Sequence, residues 1–237
     1  MISLSRLSGL LGLNRNISVL LAAIVLIAAG EEMWMRFIPK YLEVLGASAL
    51  AIGTYDAIKT LLGAVYAYPG GIIVDRWGHR NALGAFTLIS IAGYVLLLAS
   101  RHWIAVLAAT FLFLAWSTLS LPATFTLVAE SLPPEKHAMG IGVQSLMRRL
   151  PVIIGPVAGG ILIDRFGFVG GIRYGLAASI LMSVAALGLQ QRMRISAKPA
   201  AKSREGLWPA LRRSDRELRR LLISDVLVRF CERIPFA

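Results

Sequence analysis

The chain has 237 residues, of which 57% are hydrophobic and only 16% charged, with a mean hydropathy of +0.68. Soluble domains carry about a quarter of their residues as charges, so an ordinary soluble domain is excluded. The net charge of +12 does not signal nucleic acid: ten Lys or Arg against three acidic residues fall within 191–220, no DNA- or RNA-reading motif accompanies them, and Cys231 is the only cysteine. A lone cysteine allows neither an internal disulfide nor a Cys-based metal site. No nucleophile–base pair or metal-ligand cluster is visible, so neither an enzyme nor a bound cofactor or metal is expected.

Apolar runs of 20 or more residues are long enough to cross about 30 Å of hydrocarbon. After a cytoplasmic N-terminal segment, 1–16, a six-span transmembrane domain is predicted over 17–190. Its spans run over 17–42, 47–71, 82–100, 103–131, 139–163 and 170–190. Arg6 and Arg15 precede an apolar run reaching Ala28-Ala29-Gly30, the pattern of a signal peptide. The run continues through Trp34, Phe37 and Ile38 to Tyr41, so a retained first span is expected. Residues 191–217 read as a basic linker in which Leu207–Leu211 is expected to begin an amphipathic helix on the inner leaflet. Residues 218–237 read as the truncated start of a seventh span. Arg6, Arg15, Arg76, Arg80, Lys136 and the linker fall on one side, and Lys40, Arg101, Arg165 and Arg173 on the other. Basic residues accumulate inside, which places the N-terminus in the cytoplasm of a plasma or inner membrane.

Ionisable groups at membrane depth cost about 2.5–3.5 kcal/mol each on insertion scales and are functional candidates by default. In chain order they are Glu31 and Glu32 in the first span, Asp56 and Lys59 in the second, and Arg148 and Arg149 in the fifth. Glu31 and Glu32 lie about ten residues from the outer end, roughly 15 Å deep at 1.5 Å per residue. Spacing predicts a Glu32–Arg36 pair at i,i+4 and an Asp56–Lys59 pair at i,i+3, which leaves Glu31 to Arg148 or Arg149. Such a network either holds helices together or carries a proton on Glu31 or Glu32, since burial favours a neutral carboxyl and a neighbouring arginine a charged one. The arginines also suit an anionic substrate. In the fourth span Trp116, with Ser117, Thr118, Ser120, Thr124 and Thr126, forms a polar and aromatic mixture suited to an amphiphilic ligand, and Pro122 predicts a kink.

The stretch Gly70-Gly71-Ile72-Ile73-Val74-Asp75-Arg76-Trp77-Gly78 returns as Gly159-Gly160-Ile161-Leu162-Ile163-Asp164-Arg165-Phe166-Gly167, identical at six of nine positions. Three apolar segments separate the copies, which puts them on opposite sides of a membrane, as in an inverted-topology repeat.

Gly71-x-x-x-Asp75-Arg76-x-Gly78-His79-Arg80 resembles motif A of the major facilitator superfamily, and Phe37–Leu42, Leu45–Ser48 and Ile52-Gly53 look like that family's first loop. Glu130-Ser131-Leu132-Pro133-Pro134 resembles its fourth-to-fifth loop, with His137 where an Arg is more usual. Gly142 and Gly155-Pro156-Val157-Ala158-Gly159-Gly160 are similar to the antiporter motif C, with Pro151 where that motif expects Gly. The resemblance implies an all-α fold: a six-helix N-terminal half built as a 3+3 inverted repeat, followed by a linker and a seventh helix. Its first and fourth spans would line the cavity and its third and sixth face lipid. The motif A loop, with Glu130 as acidic partner of Arg76 or Arg80, would latch the cytoplasmic side. The implied function is alternating-access transport of a small organic solute, by proton-coupled export, with membrane lipids and a C-terminal half, or a second copy, as partners. Anionic-metabolite uptake or exchange, and a non-transporting membrane interaction protein, stand as the alternatives.

Overall fold

The computed structural model describes residues 15–133, 137–192 and Ser224. Residues 1–14, most of the linker and, Ser224 apart, the seventh segment lie outside the described residues. Helix α1 spans Arg15–Glu32, and a single 3-10 turn, Met35–Phe37, joins it to α2, Ile38–Val44. Next come α3, Ala49–Val65, and α4, Ala67–Ala99. Helices α5, Trp103–Ser131, α6, His137–Phe166, and α7, Phe168–Gln191, complete the bundle. Among the described residues, five stretches are long and apolar enough to cross a membrane: Ser18–Val44, Tyr68–Ala99, Trp103–Leu127, His137–Phe166 and Phe168–Gln191.

Two boundaries differ from the sequence expectation. The first span, expected as one rod over 17–42, is broken after Glu32 and resumes as α2 with Pro39 in its opening turn. Proline is tolerated there because the first-turn N–H groups have no helical partner anyway. The second span, expected to stop at 71, continues to Trp77. Pro69 ends α3's regular bonding near Tyr66, but the Gly70 N–H bonds the Tyr66 carbonyl at 3.0 Å and the helix resumes. The reversal into the third span comes at Gly78, with φ 75 and ψ 157 inside α4.

Gly167, the residue that aligns with Gly78 in the second copy, has φ 74 and ψ 166 at the start of α7. Only glycine adopts this region readily, so the same residue makes the same turn in both copies. Packing follows the repeat as well. A methyl on Gly70 would meet the Leu119 carbonyl oxygen of the fourth span at 2.6 Å, and one on the aligned Gly159 would collide with the Met33 carbonyl of the first. The third span packs along the fourth, and the sixth along the first. Ser90, on the third span, donates to the Phe113 carbonyl at 3.1 Å, and the aligned Ser179, on the sixth, accepts from the Trp34 indole at 2.8 Å.

Small residues and interhelical hydrogen bonds carry helix association where lipid removes the hydrophobic incentive. Two apolar clusters fill what remains. One joins Leu20, Ile24 and Ile27 to Leu83, Phe86, Trp116 and Leu127, and the other gathers Trp34, Tyr41, Tyr55, Tyr94, Phe113 and Leu176. Glycine contact should therefore be position-specific. Gly159→Ala is expected to lower stability by about 1–3 kcal/mol through overpacking. Gly160→Ala, with nothing within 4 Å of the new methyl, is expected to leave stability unchanged or raise it by up to about 1 kcal/mol. Thermal unfolding of the two variants in the same detergent measures the difference.

Candidate functional site

Helix α1 ends on two carboxylates, Glu31 and Glu32, where the helix dipole is negative. That placement is unfavourable by about 0.3–1 kcal/mol per charge at a solvated end. The chain loosens here: the Met33 and Trp34 N–H groups reach back only three residues, to the Gly30 and Glu31 carbonyls, at 3.3 Å each. The two acids then find different partners. Glu32 pairs with Arg36 at 3.2 Å, as its spacing predicts. Glu31 is 5% exposed and accepts a 2.6 Å hydrogen bond from the Tyr94 hydroxyl of the third span. Among the described residues no cation lies within 4.0 Å of Glu31, although Arg148 is within its electrostatic reach.

The break also turns Trp34 inward. Its ring meets Tyr94 edge-on at 5.8 Å and Phe113 at 5.1 Å. The Glu31–Tyr94 bond is thus backed by an aromatic wall. From the fifth span, Gly155 presses against the Glu32 side chain and Gly159 against the Met33 backbone. These two motif C glycines seat the broken segment.

A second polar cluster joins the fourth and fifth spans. Thr124 donates to the Leu121 carbonyl at 2.9 Å, so its oxygen is free to accept, and it accepts from Gln144 Nε2 at 2.8 Å and Arg148 Nη2 at 3.0 Å. This fixes the amide: Nε2 faces Thr124 and Oε1 faces away. Gln144 Oε1 and Arg148 Nε are both buried without a partner among the described residues. An unpaired acceptor and an unpaired donor thus sit one helical turn apart at the fifth span's contact with the fourth.

The other predicted residues are dispersed. Asp56 and Arg149 are exposed, Lys59 is half-buried, and no Asp56–Lys59 ion pair forms among the described residues. The i,i+3 spacing puts both on one helix surface but does not oblige them to bond. Trp116 is 2% exposed and packed in the first apolar cluster rather than lining an open cavity. At the motif A turn, Arg80 donates to Gln191 Oε1 through Nε at 3.1 Å and Nη2 at 2.9 Å, and His79 Nε2 lies 2.9 Å from Thr126 Oγ1. Asp75 and Arg76 are exposed, and the Glu130 side chain lies outside the described residues. Gly71 and Gly142, like Gly160, face open space. Sequence reasoning missed Tyr94 and Gln144. The available signals were a tyrosine in a third span without charges and a glutamine four residues before Arg148.

A family model described as Major Facilitator Superfamily matches residues 20–231. A multidrug resistance protein, MdtG, of Citrobacter koseri is 30% identical over 164 residues, covering 65% of this chain and 39% of the relative. Proteins of the same name from Salmonella arizonae and Salmonella newport are 29% identical over the same shares. The chain therefore spans about two fifths of the length of these relatives.

Thr124 is the shared acceptor of its cluster. Thr124→Val keeps the volume but strands both donors, and each buried unpaired donor costs about 1–3 kcal/mol. A clear fall in the midpoint of thermal unfolding is expected. Thr118→Val, which removes only a bond to its own helix carbonyl, is expected to change the midpoint little.

Proposed function

The chain belongs to the major facilitator superfamily, and on that premise we propose that it forms the N-terminal half of a proton-coupled exporter of small organic molecules of the drug type. It is a multi-pass membrane protein and a transporter rather than an enzyme. In this reading the N-terminus is cytoplasmic, in a plasma or inner membrane, and a second six-helix half covers the exposed faces of α3 and α6. Drug export is supported by the multidrug resistance relatives, and proton coupling by the chemistry around Glu31.

The observation that carries the reading is the contrast between the two acids at the break. Glu32 is neutralised by Arg36 on its own segment, whereas Glu31 is buried against a neutral donor. A carboxyl group bonded to a tyrosine retains the choice between holding a proton and meeting a cation. Arg148 is the cation within electrostatic reach. When Glu31 is protonated, Arg148 stays on Thr124; when it is charged, the attraction between carboxylate and guanidinium draws the first and fifth spans together. Alternating access then follows from which partner Glu31 holds. Asp56, Lys59 and Arg149, all more exposed, face the second half or the substrate path. The motif A turn, held within this half by Arg80 and Gln191, is the part of the latch that remains when Asp75 engages the other half.

A second reading, uptake or exchange of an anionic metabolite, draws on the unpartnered Nε of Arg148, a planar donor suited to a carboxylate. The complete transporter in proteoliposomes separates the two. For a proton-coupled exporter, Glu31→Gln is expected to reduce transport driven by a pH gradient at least tenfold while substrate binding persists, and Glu32→Gln to reduce it less. If gradient-driven transport survives Glu31→Gln and collapses in Arg148→Gln with loss of anion binding, the anion reading replaces it. Full function in both variants sinks transport through this site.

A further inference from the structure

An open depression of about 600 Å³ lies outside the Glu31 site, at the end of the bundle where the second span turns into the third. It is lined by Arg76, Trp77, Asn81, Gly84, Ala85, Leu88 and Gln191. Polarity changes along it. Arg76 and Asn81 stand at the rim with the Trp77 indole, which is 57% exposed. Gly84, Ala85 and the 56% exposed Leu88 form the inner part, which runs about 10 Å from Asn81 to Leu88 at 1.5 Å per residue. One wall is fixed, because Arg80 holds Gln191 through two hydrogen bonds. Arg76 itself has no ion pair or hydrogen bond among the described residues.

The inverted repeat supplies a comparison within the same chain. Arg76, Trp77 and Ala85 align with Arg165, Phe166 and Tyr174. In the second copy the Phe166 and Tyr174 rings meet at 4.5 Å with their planes tilted by 48°, so aromatic side chains occupy the aligned ground. In the first copy alanine stands where tyrosine would fill the space. The turn and the arginine are kept in both copies, and the tyrosine of the second is an alanine in the first.

We propose that this depression binds one anionic glycerophospholipid, with its phosphate on Arg76 and Asn81 and an acyl chain against Gly84, Ala85 and Leu88. A guanidinium presents paired donors to a phosphate, and a tryptophan at the rim matches the headgroup level of a bilayer. Basic pockets between membrane helices are suited to anionic headgroups. Free phosphate would satisfy Arg76 but leave the apolar inner half uncovered, whereas a phospholipid satisfies both parts. The inference rests on the chain's membrane location and is independent of proton coupling at Glu31.

Trp77 is the natural reporter. The full chain in phosphatidylcholine nanodiscs is titrated with brominated phosphatidylglycerol, and the Trp77 signal is taken as wild type minus Trp77→Phe. Quenching at least twofold stronger than with the same fraction of brominated phosphatidylcholine is expected, with no competition from inorganic phosphate. Arg76→Gln should abolish the preference, and Ala85→Tyr, which copies the second repeat, should abolish quenching by both lipids. Should Ala85→Tyr fail to fold, Arg76→Gln decides alone, since it leaves the groove intact. Equal quenching by both lipids, an unchanged preference in Arg76→Gln, or displacement by phosphate would overturn the proposal. So would absence of quenching, which would mean that protein covers the depression.

Discussion

The architecture depends on one close approach, that of Gly155 and Gly159 on the fifth span to Glu32 and Met33 on the first. In a bilayer the association of helices gains little from burying apolar surface, so contact must come from dispersion and hydrogen bonding at short range. A side chain at Gly159 would occupy the place of the Met33 carbonyl. Because the fifth span has none, the first span lies against it where its own helix has come apart. That contact sets the register of everything nearby. It turns Trp34 toward Ser179, holds Glu31 against Tyr94, and brings Arg148 to the electrostatic edge of the same site.

The inverted repeat explains why such a contact exists and why it is only half of a pattern. Gly70 meets the fourth span as Gly159 meets the first, and Gly78 and Gly167 make the same turn with nearly the same dihedral angles. Chemistry then enters where the copies diverge. Tyr94 aligns with Ser183, so the hydroxyl that reaches Glu31 has no aromatic counterpart in the second copy. Ala85 aligns with Tyr174, so the aromatic pair that Tyr174 makes with Phe166 has no counterpart in the first copy. Duplication supplies a scaffold in which both halves are held by the same small residues, and function can occupy the positions that packing does not need.

Much of this was legible in the sequence, and the limits have physical causes. Six apolar segments, the repeated Gly-Gly…Asp-Arg-x-Gly motif and the Glu32–Arg36 pair follow from length, identity and i,i+4 spacing. The break in the first span does not, because nothing in Met33–Phe37 forbids a helix; the fifth span's glycines make the loosened backbone favourable. Pro69 reads as a span end by local rules, yet membrane helices absorb proline when neighbouring backbone groups can re-bond, and Gly70 does so. Asp56 and Lys59 share a helix surface without bonding, since spacing fixes proximity but leaves the rotamers to the surroundings. Tyr94 was hidden for the opposite reason. A tyrosine in an uncharged span reads as core packing, and only the third dimension shows its hydroxyl aimed at an acid 63 residues earlier in the chain.

The sixth span ties the depth of the membrane to its edge. Near its middle Ser179 receives the Trp34 indole, and at its end Gln190 accepts from Thr87 at 3.1 Å and Gln191 from Arg80. Gln190 follows Ser179 by eleven helical steps, about 16 Å of continuous helix. Such a rod resists compression because its carbonyls and N–H groups bond one another along the whole length. The first span at its break, the third span and the motif A turn are therefore all fastened to one stiff element. A displacement of Trp34 would load the same helix that positions Arg80, so the Glu31 cluster and the turn are mechanically linked while those three bonds persist.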